Sequence, residues 1–330
     1  MPLTLLVPAL LWPREILRDT TFDLPLPSLG RLLGRARLRP LTGEDGWLAE
    51  TFGITAPLPA AALRLLGDGS QPDNHNWICL DPVHLRLREW ALIADAPTAL
   101  ALNAEEDAAL REAIAPLFSD FGELLATAAG RWHLRLAQPA RIETKPLPAA
   151  VGRAVDPALP SGADGAEWRR RLAEAQTLLH THEVNQRRIE VGHITVNHLW
   201  PWGQGRLPDG ARRAFDRVLT DDPVLRGLAM LAGCEVAALP ARHIPQSGKT
   251  LVKLGHLSAA SIAHDAMAWR EALAQLEAGW FAPALAGAAG GVARQLTLVA
   301  DGERAFEATA TSLSLRRFWR PAKNLADIEP

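Results

Sequence analysis

QTLLHTHEVNQRRIEVGHITVNHLWPWGQGR, residues 176–206, is the stretch whose reading decides the fold. Within it ITVNHLW (194–200) alternates and is rich in β-branched residues, which predicts a strand. PWGQG (201–205) is then expected to stop that strand. Pro201 has no N–H to give a ladder, and Gly203 and Gly205 permit φ > 0 and close backbone approach. In an α/β chain, the turn that ends a strand is where ligands are usually gripped. Residue types alone leave a second reading open, a strand-to-loop junction with packed tryptophans.

Outward from this stretch the chain alternates strand and helix patterns. LTLLVPALLW (3–12) has no basic leader and no small-residue cleavage site, and Pro8 interrupts it, so it reads as a buried first strand rather than a signal peptide. GWLAETFGI (46–54) and LPAAALRLLGDG (58–69) read as helices. SQPDNHNW (70–77) is polar and turn-forming, and a boundary is expected there. Beyond it, WICLDPVHLRL and WALIAD read as strands and RWHLRLAQ (131–138) as another. Asn103 is placed to cap a helix over 104–128 with Glu106 at the capping-box position. The proline-rich 145–165 reads as a return linker, and WRRRLAEAQTLLHTH (168–182) as a helix. Later, 221–239 reads as helix, Gly233 stop and strand, 249–255 as a strand, and 267–287 as an amphipathic helix. Strands are expected over 294–302 and 308–320. Such alternation predicts a mostly parallel sheet.

The balance is that of an ordinary globular chain: 330 residues, 48% hydrophobic and 22% charged. A formal net charge of −2 gives no global field to recruit nucleic acid or an anionic membrane, so neither is expected as a partner. Two cysteines, Cys79 and Cys234, exclude a disulfide scaffold and suit a reducing cytoplasm, the expected location. No apolar run reaches the roughly 20 residues of a membrane span.

The short motifs carry little. IPQSGKT (244–250) ends like a phosphate loop, but His243 stands where the first glycine is needed. His180-x-His182 sits near a helix end, where i and i+2 side chains diverge, so a capping or packing role is expected before a metal. His75, His84, His264-Asp265 and Asp301-Gly302 read locally as structural. Arg187-Arg188 is the more informative pair, since arginine grips phosphate or carboxylate with two parallel hydrogen bonds.

The order of these features resembles the archaeal-type, cofactor-independent phosphoglycerate mutases of the alkaline phosphatase superfamily, and more closely a bacterial offshoot known as RpfE-type regulatory proteins. Those enzymes carry H-x-V-N-x-x-R-x-x-x-G, then Asn, an apolar strand and G-x-G. Here the pattern reads His182, Val184, Asn185, Arg188, Gly192, Asn197, Gly203 and Gly205. The resemblance implies an alkaline-phosphatase-like α/β core over 1–76 and 164–330, with a mostly parallel sheet flanked by helices. A small α+β domain would be inserted at 77–163.

The departures bear on function. The superfamily reaction needs two divalent metals, held by Asp and His, and a Ser or Thr nucleophile. Pro8 stands where the first metal ligand is expected, and TAPLPAAALRLL offers no hydroxyl at the nucleophile position. Ala260 and His264 replace an Asp…His pair, Asp301-Gly302 replaces Asp-His, and Trp202 replaces an arginine. The expectation is therefore a degenerate relative with no catalytic residue, metal or cofactor, which binds a small phosphorylated or carboxylate ligand, or a partner the sequence does not name, in a regulatory role. Asn185, Arg188, Asn197, Trp200, Trp202, Gly203 and Gly205 would line its site. Two alternatives stay open: an active mutase or phosphatase with relocated metal ligands, and a structural partner-docking protein.

Overall fold

Leu5, Leu6, Val7 and Leu10 are all fully buried. They belong to β1 (Pro2–Leu11), the central strand of a seven-stranded sheet. Burial on both faces is what a parallel sheet covered by helices requires. The remaining strands are β2 (Arg37–Pro40), β3 (Asn76–Val83), β4 (Leu85–Arg88), β5 (Ala91–Ala94), β6 (Gly122–Ala128), β7 (Arg131–Leu136), β8 (His198–Gly205), β9 (Arg217–Leu219), β10 (Glu235–Ala237), β11 (Thr250–Lys253), β12 (Gln295–Gly302) and β13 (Phe306–Thr311). The computed structural model describes residues 1–330 except 89, 157–158, 292 and 330. Pro157 and Ala158 of the expected linker thus lie outside the described residues.

The chain forms two compact units, Met1–Pro57 with Gly210–Pro330, and Leu58–Asp209. The first holds the large sheet in the order β10-β9-β11-β1-β12-β13-β2. Its strands are parallel from β10 to β12; β13 and β2 are antiparallel. Helices such as Ala266–Leu276 bury Trp269 and Leu273 in the same core as β1 and β12. The expected α/β architecture, with a mostly parallel sheet flanked by helices, is what the chain adopts.

The second unit contains an antiparallel sheet ordered β6-β7-β3-β8 and the β4–β5 hairpin. It reaches further than the 77–163 segment expected as an insertion. The reason is pairing: β8 lies antiparallel to β3 from Val83↔His198 to Trp77↔Gly205. Trp168, Leu172 and Leu179 of the helix Gly165–Thr181 complete the core around Ile78, Trp132 and Leu134.

Three local expectations are corrected. PWGQG does not stop its strand but forms most of β8. β8 is an edge strand, which tolerates a proline without a donor. A register irregularity opposite Trp77–Cys79 and a φ of 67° at Gly203 absorb the sequence. The helix begun by Asn103, whose capping box with Glu106 forms, ends at Ile114 rather than 128. Pro116 follows within a 3-10 turn and has no N–H to continue the helix, and Gly122–Ala128 then pairs with β7. The strand expected over 308–320 ends at Thr311, whose hydroxyl caps the turn Ser312–Leu315. Among the described residues no helix is long and apolar enough to cross a membrane.

Where β1 meets β12, Leu11 pairs with Gly302, which has a φ of 140°. A Cβ there would lie 2.1 Å from the Leu11 carbonyl oxygen. Gly302→Ala is expected to lower stability by about 2–4 kcal/mol in urea unfolding, combining backbone strain with the clash.

Candidate functional site

In an open parallel sheet, chemistry collects beyond the carboxyl ends of the strands. Here three carboxylates and one lysine meet at that edge of the first unit. Lys253 is the last residue of β11. Asp222, just past β9, caps the helix Pro223–Leu231 by accepting from the Val224 and Leu225 amides at 2.7 and 3.2 Å. Glu44 opens the helix Glu44–Phe52, and its amide donates to Asp301 Oδ1 near the end of β12 at 3.2 Å. The Lys253 ammonium lies 2.5 Å from Glu44 Oε1 and also contacts Asp222 Oδ2.

Electrostatics bind the group together. Burial works against the Lys253 charge, but Asp222 and Glu44 outweigh it and hold the ammonium well above the ordinary lysine range. Burial also opposes the Asp222 carboxylate, yet Lys253 and the two helix amides keep it below the usual range. Glu44 moves the other way: burial, with Asp222 as a like charge, raises it despite Lys253. Burial likewise raises Asp45. The ammonium therefore neutralises carboxylates placed on two helix N-termini, where the helix dipoles also favour negative charge.

A binuclear metal centre does not fit this donor set. Among the described residues no three His, Cys, Asp or Glu side chains are arranged to hold a metal ion. Next to Pro8, which stands where the first ligand was expected, Ala9 keeps a left-handed φ of 58°, a conformation that favours glycine. Its carbonyl accepts from Trp269 Nε1 at 3.0 Å, and Trp12 packs on Trp269 with ring centroids 5.1 Å apart. Aromatic packing thus surrounds Ala9. His264 closes the helix Ser258–Ala263 with a φ of 53° and is exposed. The GKT loop is not a phosphate cradle either, since the Lys249 amide already donates to Asp216 Oδ2 at 2.7 Å.

The seven residues expected at a ligand site all lie in the unit Leu58–Asp209, and most are spent on internal partners. Arg188, 2% exposed, donates to the Ile194 carbonyl at 2.8 Å, to Glu106 Oε2 at 2.6 Å and to the Leu100 carbonyl. Asn185 bonds the Leu179 and Val196 carbonyls and accepts from the Val196 amide. Asn197 pairs with both backbone groups of Leu85, at 2.7 and 2.8 Å. Trp202 donates to Asp81 Oδ2 at 2.8 Å inside a buried network. There Arg64 grips Asp81 through two hydrogen bonds of 2.7 and 2.8 Å and reaches His133 Nε2 at 2.9 Å. Burial, then Arg64 and Arg131, pushes His133 down to about 2, so it stays neutral. Gly203 and Gly205 give close packing, since a Cβ would meet Ala60 at 2.8 Å and Pro59 at 2.6 Å respectively. His182 caps the helix Glu183–Glu190 through Nδ1, the role expected of it.

Of the seven, Asn197 and Trp200 border an open cavity, together with Lys145, Arg169, Gln176 and His198. Sequence reasoning missed His198, and it missed Lys253, Glu44 and Asp222. The available signals were a lysine inside the apolar strand TLVK and an Asp-Asp-Pro turn between strand and helix.

No family model matches the chain. A 112-residue segment is 30% identical to the 2,3-bisphosphoglycerate-independent phosphoglycerate mutase of Methanosarcina barkeri, covering 32% of this chain and 28% of that enzyme. A 108-residue segment is 32% identical to phosphoglycerate mutase 2 of Methanothermobacter thermautotrophicus, covering 30% of this chain and 26% of that enzyme. The matched segments thus span about a quarter of those curated relatives. A cofactor-independent phosphoglycerate mutase from Thermoplasma acidophilum shares the fold with TM-score 0.50 at 15% identity, over 99% of this chain and 94% of that one. The PH0037 protein from Pyrococcus horikoshii gives TM-score 0.57 at 13% identity, over 94% and 87%. The chain is a distant relative of the cofactor-independent phosphoglycerate mutases, similar in sequence over about a third of its length and in fold over nearly all of it.

Lys253→Met would leave Glu44 and Asp222 buried without their counter-charge, and is expected to cost about 3 kcal/mol in urea unfolding. The triple variant Lys253→Met, Glu44→Gln, Asp222→Asn, which keeps a capping side chain at 222, is expected to recover most of that loss. Equal losses in the single and triple variants would contradict the charge-balance role.

Proposed function

We propose that this chain retains the scaffold of a two-metal phosphoryl-transfer enzyme but works as a binding protein for a small anionic ligand, in a regulatory role, rather than as a mutase. Assignment to the RpfE-type regulatory branch is part of the same proposal. The observation that carries it is the Lys253 ammonium between Glu44 and Asp222 at the carboxyl edge of the parallel sheet. A fixed internal cation satisfies acids that a metal would otherwise have to balance. It cannot be exchanged, cannot activate water and offers no open coordination position. Aromatic packing around Ala9 and the absence of a hydroxyl in 56–66 point the same way.

A second reading, docking of a protein partner, is favoured by one surface feature. Phe318 and Trp319 are 82% and 67% exposed and contact each other edge to face, beside Arg316, Arg317 and Arg320. Arginine and large aromatics are the residues that anchor protein interfaces.

With Mn²⁺ supplied in excess, the purified chain is expected not to interconvert 2- and 3-phosphoglycerate above the buffer blank. Turnover that a chelator abolishes and Mn²⁺ restores would establish the active-mutase alternative instead.

A further inference from the structure

We infer that the cavity in the unit Leu58–Asp209, between the helix Gly165–Thr181, the β4–β5 hairpin and β8, binds a small monoanion with a flat apolar body: an aryl or branched-alkyl carboxylate or phosphate ester. The inference rests on the binding role proposed above and gives it a place and a ligand class. The cavity volume is about 270 Å³. That is at the small end of ligand sites and holds about ten non-hydrogen atoms.

The walls explain the apolar body. Leu85, Leu92, Leu159, Leu172 and Pro201 surround Trp200. The Trp200 indole N–H is already spent on the Lys145 carbonyl at 2.8 Å, so the ring has only apolar surface left to offer. Asn197 spends its amide on Leu85, holding the hairpin to the residue just before β8 and so fixing the shape of the wall.

The polar groups explain the anionic head. Among the described residues, the Thr144 hydroxyl, the Gln176 amide and both ring nitrogens of His198 make no hydrogen bond within the protein, and the Lys145 ammonium meets no carboxylate. Desolvation alone pushes His198 down to about 4, so at neutral pH it offers one N–H and one acceptor rather than a charge. Arg169, its Nη1 fixed on the Pro160 carbonyl at 2.6 Å, and the Asp156 carboxylate also line the cavity, so with Lys145 the lining carries two cations and one anion. An apolar cavity lined by a few unspent polar groups is the general form of a small-molecule site, and an excess of one positive charge in its lining favours a monoanion.

Calorimetric titration with phenyl phosphate, benzoate, cyclohexanecarboxylate, inorganic phosphate and 3-phosphoglycerate tests this. At least one ligand with an apolar body is expected to bind at least ten-fold more tightly than inorganic phosphate, and the phenyl phosphate and benzoate arms separate the two head groups. Lys145→Gln is expected to weaken that binding at least ten-fold. Ala173→Phe, a substitution at an exposed position on the cavity wall, is expected to abolish it while leaving the thermal unfolding midpoint and circular dichroism unchanged. Binding of 3-phosphoglycerate or inorganic phosphate that is as tight as any other, and indifferent to Ala173→Phe, would overturn this cavity while sparing the anion-binding role. No heat from any of the five ligands would overturn both.

Discussion

The ion cluster of Lys253 with Glu44 and Asp222 is the interaction on which the first unit turns. It joins the end of β11 to the start of two helices, and Asp301 on β12 ties in the Glu44 amide. Removing Lys253 leaves two buried carboxylates without a counter-charge, which costs more than a well-paired cluster contributes. The arrangement therefore keeps itself intact. Such a cluster at the carboxyl edge of a parallel sheet occupies the ground where α/β proteins usually place their chemistry.

Backbone geometry at the same edge of the sheet is unusual. Ala9 holds a left-handed conformation in the middle of β1, and Gly302 admits the Leu11 carbonyl at a distance no side chain would allow. Around these unusual turns stand Trp12 and Trp269 rather than acids. Aromatic packing of this kind holds a strained alanine in place. In the other unit Trp202 donates to the buried Asp81 and lies under the Arg64 guanidinium at 5.5 Å.

The large sheet was legible because its strands are apolar runs bounded by turn residues, as in 3–12 and 294–302, and in the second unit the capping box at Asn103 and Glu106 was a local signal. The limits of the second unit were less legible, because strand pairing between β3 and β8 joins residues more than a hundred positions apart and leaves no mark in composition. PWGQG misled because its prolines and glycines look like a stop, while an edge strand with a register irregularity accommodates them. Arg188 and Asn185 read as ligand groups because arginine and asparagine have the right donors. Whether those donors face a cleft or a carbonyl is a tertiary fact, and here they satisfy helix ends and loops. Lys253 was passed over for the converse reason: one lysine in a short strand looks like surface charge until its two acidic partners, 31 and 209 residues away, are brought beside it.

The most direct measurement is an electron paramagnetic resonance titration of the full chain with Mn²⁺. If Lys253 supplies the cation that the carboxylates need, the six-line signal of free aqueous Mn²⁺ will persist undiminished at stoichiometric additions of metal. Loss of that signal up to about two equivalents per chain, with tight binding, would mean that a binuclear centre exists and that Lys253 does not stand in for it.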